Sequence, residues 1–190
     1  MIGAIVLAAG SSSRMGRAKA HLKTGPRGRT FVDTITETLA GAGVSEVRVV
    51  VAPGLPRLPE HAVVNPDPGA GMLSSLQCGL RAFRDELDAA FVWPVDHPLV
   101  ERDTLVEMIA AFRREGAPIV VPTHGGKRGH PALFAACVFP ELLGADPSGG
   151  ARTVVHAHDD RLELAVADCG VIEDIDTPED YARVFGAGVS

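Results

Sequence analysis

The chain has 190 residues and a formal net charge of −6, with 46% hydrophobic and 22% charged residues. This length suits one domain, residues 1–190, with a sizeable core, and the ordinary composition argues against intrinsic disorder. The acidic balance, without any long Lys/Arg run, argues against a nucleic-acid partner. No apolar run approaches the ~20 residues needed to cross a bilayer, so a membrane partner is not expected either.

The three cysteines, Cys78, Cys137 and Cys169, are widely spaced and include no CxxC pair. This spacing favours neither a disulfide framework nor a zinc site, and it is typical of a protein in a reducing cytoplasm. The apolar N-terminal run has no basic residues ahead of it. We therefore expect it to be a strand and not a signal peptide.

Apolar runs rich in β-branched residues alternate with amphipathic segments over the first two thirds of the chain. Their near-continuous hydrophobicity predicts strands that are buried on both faces of a parallel sheet. The predicted strands are Ile2–Leu7, Glu46–Val51, Ala62–Val64, Ala89–Val95 and Pro118–Val121. The predicted helices between them are Phe31–Ala42, Leu73–Phe83 and Asp103–Arg114.

Beyond Pro122 the alternation of apolar runs and amphipathic segments is less regular. A Gly-rich loop, THGGKRGHPALF, runs into an apolar segment, and a turn at Asp146–Gly150 precedes a predicted helix at Ala151–Asp159. The remaining predictions are a strand at Arg161–Ala167, an extended piece at Val171–Ile175, and a closing helix at Thr177–Phe185 that Thr177 caps. Strand–helix alternation of this kind predicts a single-domain α/β/α sandwich with a doubly wound, mostly parallel sheet.

The stretch LAAGSSSRMGRAK, residues 7–19, follows the first predicted strand and holds two glycines, three serines and three cations. In an open parallel sheet ligands bind at the carboxyl ends of the strands, where backbone N–H groups of a Gly-rich loop can converge on phosphates. The dinucleotide fingerprint G-x-G-x-x-G and the P-loop pattern are both absent. We expect another kind of phosphate loop, with N–H groups of residues 9–13; a surface loop with solvated cations is the alternative.

LAAGSSSRMGRAK resembles the L-A-[AG]-G-x-[SG]-x-R-M-G-x-x-K signature of nucleotidyltransferases of the MobA-like family. Four further segments are similar to one branch of that family, the molybdenum cofactor cytidylyltransferases. They are NPDPGAGMLSSLQCGL (65–80), VDHPLV (95–100), GGKRGHPALF (125–134) and DIDTPEDYARV (174–184). The five segments occur in the family's order and span nearly the whole chain, which implies a Rossmann-like nucleotidyltransferase fold.

Two features depart from the family pattern. The segment HLKTGPRGRTFVD, residues 21–33, is longer and more basic than usual, and His97 stands where a hydrophobic or amide residue is more common. Both lie near the implied triphosphate site, so they leave the shape of its rim and the role of His97 open.

The resemblance implies a catalytic set of Arg14, Lys19 and Asp96. Arg14 would contact the β- and γ-phosphates and Lys19 the α-phosphate. Asp96 follows an apolar strand, and it would hold Mg²⁺ (or Mn²⁺) together with Asp176. A turn or a helix cap is the alternative for either carboxylate, and Asp174 competes with Asp176. The implied nucleotide-binding residues are Leu7, Ala8, Ala9, Gly10, Ser11, Ser12, Ser13, Arg14, Lys19, Asn65, Gly71, Ser74 and Ser75; helix capping is an equally good interpretation of the last two serines.

In the family an alanine at the position of Ala9 accompanies CTP and a glycine accompanies GTP, so Ala9 predicts CTP as the substrate. A Cβ at the base edge would also narrow the pocket in favour of a pyrimidine. The implied acceptor is an anionic pterin, the molybdopterin-bound molybdenum cofactor. Its implied binding residues are Lys127, Arg128, Gly129, His130 and Pro131, unless this segment is only a mobile surface hairpin.

The resemblance therefore implies transfer of CMP from CTP to the molybdenum cofactor with release of pyrophosphate. A molybdoenzyme or its chaperone would receive the product. Two alternatives stay open at this point: a nucleotidyltransferase acting on a sugar phosphate or another small phosphate, and a catalytically idle protein that binds a nucleotide or a cofactor.

Overall fold

The computed structural model describes residues 1–10, 19–24, 28–55 and 58–186. Among these residues eight strands form one sheet in the order β3-β2-β1-β4-β7-β5-β6, with β8 paired to β5. The strands are β1 Ile2–Ala8, β2 Glu46–Val51, β3 Ala62–Val64, β4 Ala89–Pro94, β5 Ile119–His124, β6 Lys127–Arg128, β7 Ala132–Ala135 and β8 Leu162–Ala165. The α-helices are α1 Phe31–Gly41, α2 Met72–Arg81, α3 Arg102–Glu115, α4 Phe139–Gly144, α5 Ala151–Ala157 and α6 Pro178–Phe185.

The first half of the chain builds the parallel part of the sheet around β1. This strand pairs in parallel with β2 and β4, and β2 pairs in parallel with β3. All seven residues of β1 are buried. Ala4, Val6 and Ala8 join the hydrophobic cluster that contains α1, whereas Ile5 and Leu7 join the cluster that contains α2. Alternate residues thus enter two cores, as a sheet covered on both faces requires.

The second half adds an antiparallel section that the sequence did not predict. The Gly-rich loop contains a hairpin of β5 and β6, turned by Gly125 and Gly126 at φ 56° and 78°, as a two-residue hairpin turn demands. The apolar residues after it form β7, which lies antiparallel between β4 and β5. With β8 parallel to β5, the fold is the predicted mostly parallel α/β sandwich, with β7 inserted antiparallel within the sheet and β6 antiparallel at its edge.

Thr177 caps the closing helix as predicted, and other helix ends are capped too, but α4 and the turn at residues 169–172 were not predicted. Thr30 and Thr177 each form a capping box, and Gly116 ends α3 in the left-handed conformation. The six-residue α4 is too short to show a helical period. Residues 169–172 form a 3₁₀ turn instead of an extended piece, because the Asp168 carboxylate accepts the Gly170 N–H and bends the chain.

No helix in the described part of the chain is long and apolar enough to cross a membrane.

Candidate active site

Three charged side chains from distant parts of the sequence meet at the carboxyl ends of β1 and β4. Lys19 lies in a 3₁₀ turn after β1, Asp96 follows β4, and Asp176 precedes α6. The Lys19 Nζ donates a hydrogen bond to Asp96 Oδ2 at 3.2 Å and another to Asp176 Oδ1. The Ile175 N–H donates to the Asp96 carbonyl oxygen at 2.8 Å, so the segment before α6 is fixed against the end of β4.

The ammonium group of Lys19 stays charged in this cluster. Only 13% of its side chain is exposed. Burial disfavours the charged form, but the hydrogen bonds and charges of Asp176 and Asp96 outweigh it, so the pKa of Lys19 is raised above its ordinary value. The three groups then carry one positive and two negative charges. A polyphosphate would be repelled by this net negative charge unless a further cation joined the cluster.

One carboxylate oxygen of Asp96 is available to bind a metal ion. Its Oδ1 is buried and accepts no hydrogen bond from the described residues, and His97 Nε2 lies 3.9 Å away, beyond hydrogen-bond distance. A buried carboxylate oxygen without a donor is costly, and a bound cation would remove that cost. Asp96 and Asp176 therefore fit Mg²⁺ or Mn²⁺, which prefer carboxylates together with water and substrate phosphates. Among the described residues no group of three or more His, Cys, Asp or Glu forms a complete metal cage.

The cluster opens onto a cleft of ≈ 380 Å³, which we call the first cavity. The end of β1, the turn that leads into α2 and the end of β4 form its walls. Lys19, Asp96 and Asp176 line it, as do six further residues of the predicted nucleotide-binding and catalytic sets: Leu7, Ala8, Ala9, Gly10, Gly71 and Ser75. The predicted residues Ser11, Ser12, Ser13 and Arg14 lie outside the described residues.

Asn65 and Ser74 do not line the first cavity but hold its rim in place. Asn65 is 2% exposed, and its Nδ2 donates to the hydroxyls of Ser74 and Ser75 at 2.9 and 3.0 Å. Its Oδ1 accepts the Asp67 N–H at 3.0 Å. The cap of α2 is Gly71, which provides no side-chain hydrogen bond, so neither serine caps the helix. The serines instead tie the first turn of α2 to the segment after β3.

A second cavity, of ≈ 640 Å³, adjoins the first, and Leu7, Met72 and Pro94 line both. Three of the predicted acceptor-binding residues, Arg128, Gly129 and His130, line the second cavity. The other two do not: Lys127 lies on the exposed strand β6, and Pro131 is absent from the wall. Residues 125–127 thus belong to a surface hairpin, as the alternative interpretation expected, whereas residues 128–130 line the second cavity.

His130 contributes a neutral ring to the second cavity. Burial and the neighbouring His97, with ring centroids 4.9 Å apart, lower the pKa of His130 to about 4. The Nδ1 atoms of both rings are buried without a hydrogen-bond partner among the described residues. At neutral pH His130 therefore offers hydrogen bonding and no positive charge to a ligand in this cavity.

The sequence did not indicate that α5 forms part of this wall. Arg152 and His156 of α5 both line the second cavity. They belong to no recognisable motif, and they lie more than 20 positions after Gly129. Only the packing of α5 beside the β7 end of the sheet brings them opposite the Gly129–His130 segment.

Residues 4–162 match the family model of the MobA-like NTP transferase domain. A probable molybdenum cofactor guanylyltransferase of Mycolicibacterium paratuberculosis is 29% identical over 194 residues, covering 98% of this chain and 96% of that protein. A protein of the same name from Mycobacterium tuberculosis is 34% identical over 127 residues, covering 65% of this chain and 63% of that protein.

Solved structures are similar over almost the whole chain. Rv0371c of Mycobacterium tuberculosis has a TM-score of 0.79 and 27% identity, covering 98% of this chain and 97% of its own. Its complex with manganese has a TM-score of 0.77 and 26% identity, covering 98% of both chains. A 2-C-methyl-D-erythritol 4-phosphate cytidylyltransferase of Thermus thermophilus, at a TM-score of 0.66, 20% identity and 97% coverage of both chains, shares the fold. The chain belongs to the MobA-like NTP transferase family and is a nucleotidyltransferase.

Proposed function

We propose that this nucleotidyltransferase transfers CMP from CTP to the molybdopterin-bound molybdenum cofactor and releases pyrophosphate. The observation that carries the choice of CTP is the position of Ala9, which is 5% exposed and lines the first cavity at the end of β1. With the base beside Ala9, its methyl group would narrow the cavity and leave less room for the second ring of a purine. The adjoining second cavity provides room for an acceptor beside the nucleotide.

In this reaction an oxygen of the acceptor phosphate attacks the α-phosphorus of CTP, and the bond from that phosphorus to the bridging oxygen breaks. Both reactants are anions, so the enzyme contributes mainly charge neutralisation and positioning. Asp96 and Asp176 would hold a divalent metal ion, which supplies positive charge to the phosphates when it is bound. A solved structure of the similar protein Rv0371c is a complex with manganese, which supports a divalent metal ion for this chain as well.

Lys19 would donate hydrogen bonds to the oxygens around the α-phosphorus as negative charge moves to the leaving group. Its two carboxylate partners already hold the ammonium group at the first cavity. The rotamer entropy of a lysine side chain, about 2 kcal/mol, is then largely lost on folding and not on substrate binding. Such preorganised positive charge is the kind of contribution that favours the transition state.

Guanylyl transfer to the same acceptor is the second candidate. The similar proteins from mycobacterial species are named as probable molybdenum cofactor guanylyltransferases. If this candidate is right, the Ala9 methyl group does not exclude a purine, and the base is placed farther from the end of β1 than we propose.

The test is anaerobic turnover of the molybdenum cofactor with CTP, GTP, ATP and UTP in the presence of Mg²⁺, followed by mass spectrometry of the dinucleotide product. We expect the highest kcat/KM with CTP, and we expect Ala9→Gly to raise the relative use of GTP about tenfold, since one methylene in a pocket is worth roughly 10- to 200-fold. Ala110→Gly, which removes an exposed methyl group of α3, is the matched control and leaves the preference unchanged.

Two results would contradict the proposal. A wild-type preference for GTP, or an unchanged preference in Ala9→Gly, would remove the assignment of CTP. Pyrophosphate release that does not depend on the molybdenum cofactor would remove the assignment of the acceptor.

A further inference from the structure

The charge of the second cavity is the reverse of the charge of the whole protein. The chain has 24 Asp and Glu residues against 18 Lys and Arg. The described residues that line this cavity nevertheless include two arginines and two histidines, and no Asp or Glu. The positive charge of this cavity comes from its arginines, and an acidic protein that places arginines and no carboxylate in one cavity is adapted there to an anion.

The two arginines of the cavity differ in their availability. The Arg128 guanidinium is already paired with Glu163, with distances of 2.8 Å from Nε and 2.6 Å from the terminal nitrogen to Oε1, an oxygen that also accepts a hydrogen bond from Arg161. Arg152 is exposed on the first turn of α5, and it makes no ion pair or hydrogen bond within the described part of the chain. Arg152 is therefore the cation that is ready to bind an incoming anion.

The rest of the second cavity is apolar. Leu76, Val92, Val121, Phe134 and Val155 supply much of its wall. A ligand that contacts both the apolar wall and Arg152 needs a hydrophobic or aromatic body and one strongly anionic group. An aromatic phosphate monoester has both.

The segment before α5 lies against the boundary between the two cavities. Gly71 lines the first cavity, and a Cβ at this glycine would lie 3.2 Å from the Pro147 carbonyl oxygen. The neighbouring residue Met72 lines both cavities. Arg152 follows this segment and lines the second cavity, so a phosphate held by Arg152 would lie in the cavity that adjoins the nucleotide site.

We propose that Arg152 binds the phosphate monoester of the acceptor while the apolar wall of the second cavity receives its ring system. The identity of that acceptor as a pterin rests on the proposed function. Arg152 is then the principal cation that recognises the acceptor, since Arg128 is already paired with Glu163 and Lys127 lies outside the cavity.

The test measures equilibrium binding of two fluorescent probes by anisotropy: a pterin that carries a phosphate monoester on its side chain, and the same pterin without the phosphate. We expect the wild type to prefer the phosphorylated probe. Arg152→Ala should weaken the phosphorylated probe roughly 10- to 100-fold, the value of charged hydrogen bonds, and leave the other probe unchanged. The affinity of Arg152→Lys for the phosphorylated probe should lie between those of the wild type and Arg152→Ala, because lysine keeps the charge but lacks the two parallel N–H donors of arginine.

Arg81→Ala is the matched control, since Arg81 is exposed at the end of α2 and lines neither cavity. It should bind both probes as the wild type does. Equal loss of both probes in Arg152→Ala, unchanged binding in that variant, or a wild type without preference for the phosphate would each overturn the inference. Turnover with CTP and the molybdenum cofactor tests the proposed function separately, because failure there leaves the binding result for Arg152 intact.

Discussion

Lys19 has two carboxylate partners before any substrate is present, and this arrangement decides what a substitution there would do. Its pKa is raised although burial opposes the charge, because the hydrogen bonds that it donates to Asp176 and Asp96 and the charges of these carboxylates together outweigh burial. Removing the ammonium group therefore removes the cation that offsets two carboxylates as well as a donor to the phosphates. Both consequences raise the free energy of the transition state relative to the free enzyme.

We predict that Lys19→Met lowers kcat about 10²- to 10³-fold, the cost of losing one preorganised donor to developing charge. Lys19→Arg keeps the positive charge and should retain more activity than Lys19→Met. The measurement is single-turnover nucleotidyl transfer at saturating nucleotide, with circular dichroism to verify folding. A Lys19→Met enzyme that stays within about tenfold of the wild type would show that Lys19 has no direct role, since ~1.4 kcal/mol is too little for such a group.

The sequence could predict that Lys19, Asp96 and Asp176 form a cluster, but not the pKa of His130 or the position of Arg152. Lys19, Asp96 and Asp176 lie in motifs or at strand ends, so resemblance and the geometry of parallel strands indicate them. The low pKa of His130 depends on how deeply the ring is buried and on its contact with His97. Arg152 carries no local signal at all, and its place in the second cavity follows only from how α5 packs.

At the scale of elements, the path from β6 to β7 depends on a close approach of two backbones at Gly129. The Gly129 N–H donates to the Pro122 carbonyl oxygen at 2.8 Å, and the His130 N–H donates to the Val171 carbonyl oxygen at 2.7 Å. A Cβ at Gly129 would lie 2.3 Å from that same Val171 oxygen. A glycine at position 129 is thus required for packing against the 3₁₀ turn at residues 169–172.

We predict that Gly129→Ala destabilises the protein by about 1–3 kcal/mol, the usual cost of overpacking, because the obstructing atoms belong to backbone. It should also raise the KM for the acceptor, since Arg128 and His130 flank this position. Gly144→Ala is the control, because a Cβ there meets nothing within 4 Å and the residue ends α4. The free energies of unfolding come from urea titrations, and equal values for Gly129→Ala and the wild type would contradict the packing role.

The same segment shows why sequence patterns predicted the parallel strands better than the antiparallel one. Strands β1, β2 and β4 are runs of six or seven mostly buried residues, so their hydrophobicity is unmistakable. Strand β7 has four residues, ALFA, directly after a Gly-rich hairpin. Its pairing with β4 and β5 is decided by contacts distant in the chain, which a short apolar run does not specify.

At the scale of the whole molecule, the metal-binding candidate Asp176 is positioned by the closing helix. Helix α6 starts two residues later and packs through Tyr181 and Phe185 against Phe31 at the start of α1, with ring centroids 6.4 and 5.9 Å from the Phe31 ring. The Tyr181 hydroxyl donates to the Lys23 carbonyl oxygen at 2.7 Å. Helix α6 is therefore joined to Lys23 and to the start of α1, and the site is complete only when α6 is docked.

We predict that Tyr181→Ala lowers the free energy of unfolding by about 3–5 kcal/mol, as removal of a buried aromatic ring usually does, because Tyr181 is only 5% exposed. Tyr181→Phe keeps the ring and loses one hydrogen bond, so it should cost no more than about 1.5 kcal/mol. If docking of α6 positions Asp176, Tyr181→Ala should also weaken Mn²⁺ binding, followed by electron paramagnetic resonance at a temperature where the variant is folded. Tyr181→Phe should bind Mn²⁺ as the wild type does. Equal Mn²⁺ affinity in the folded Tyr181→Ala protein would show that the segment around Asp176 is held by its contact with the end of β4 alone.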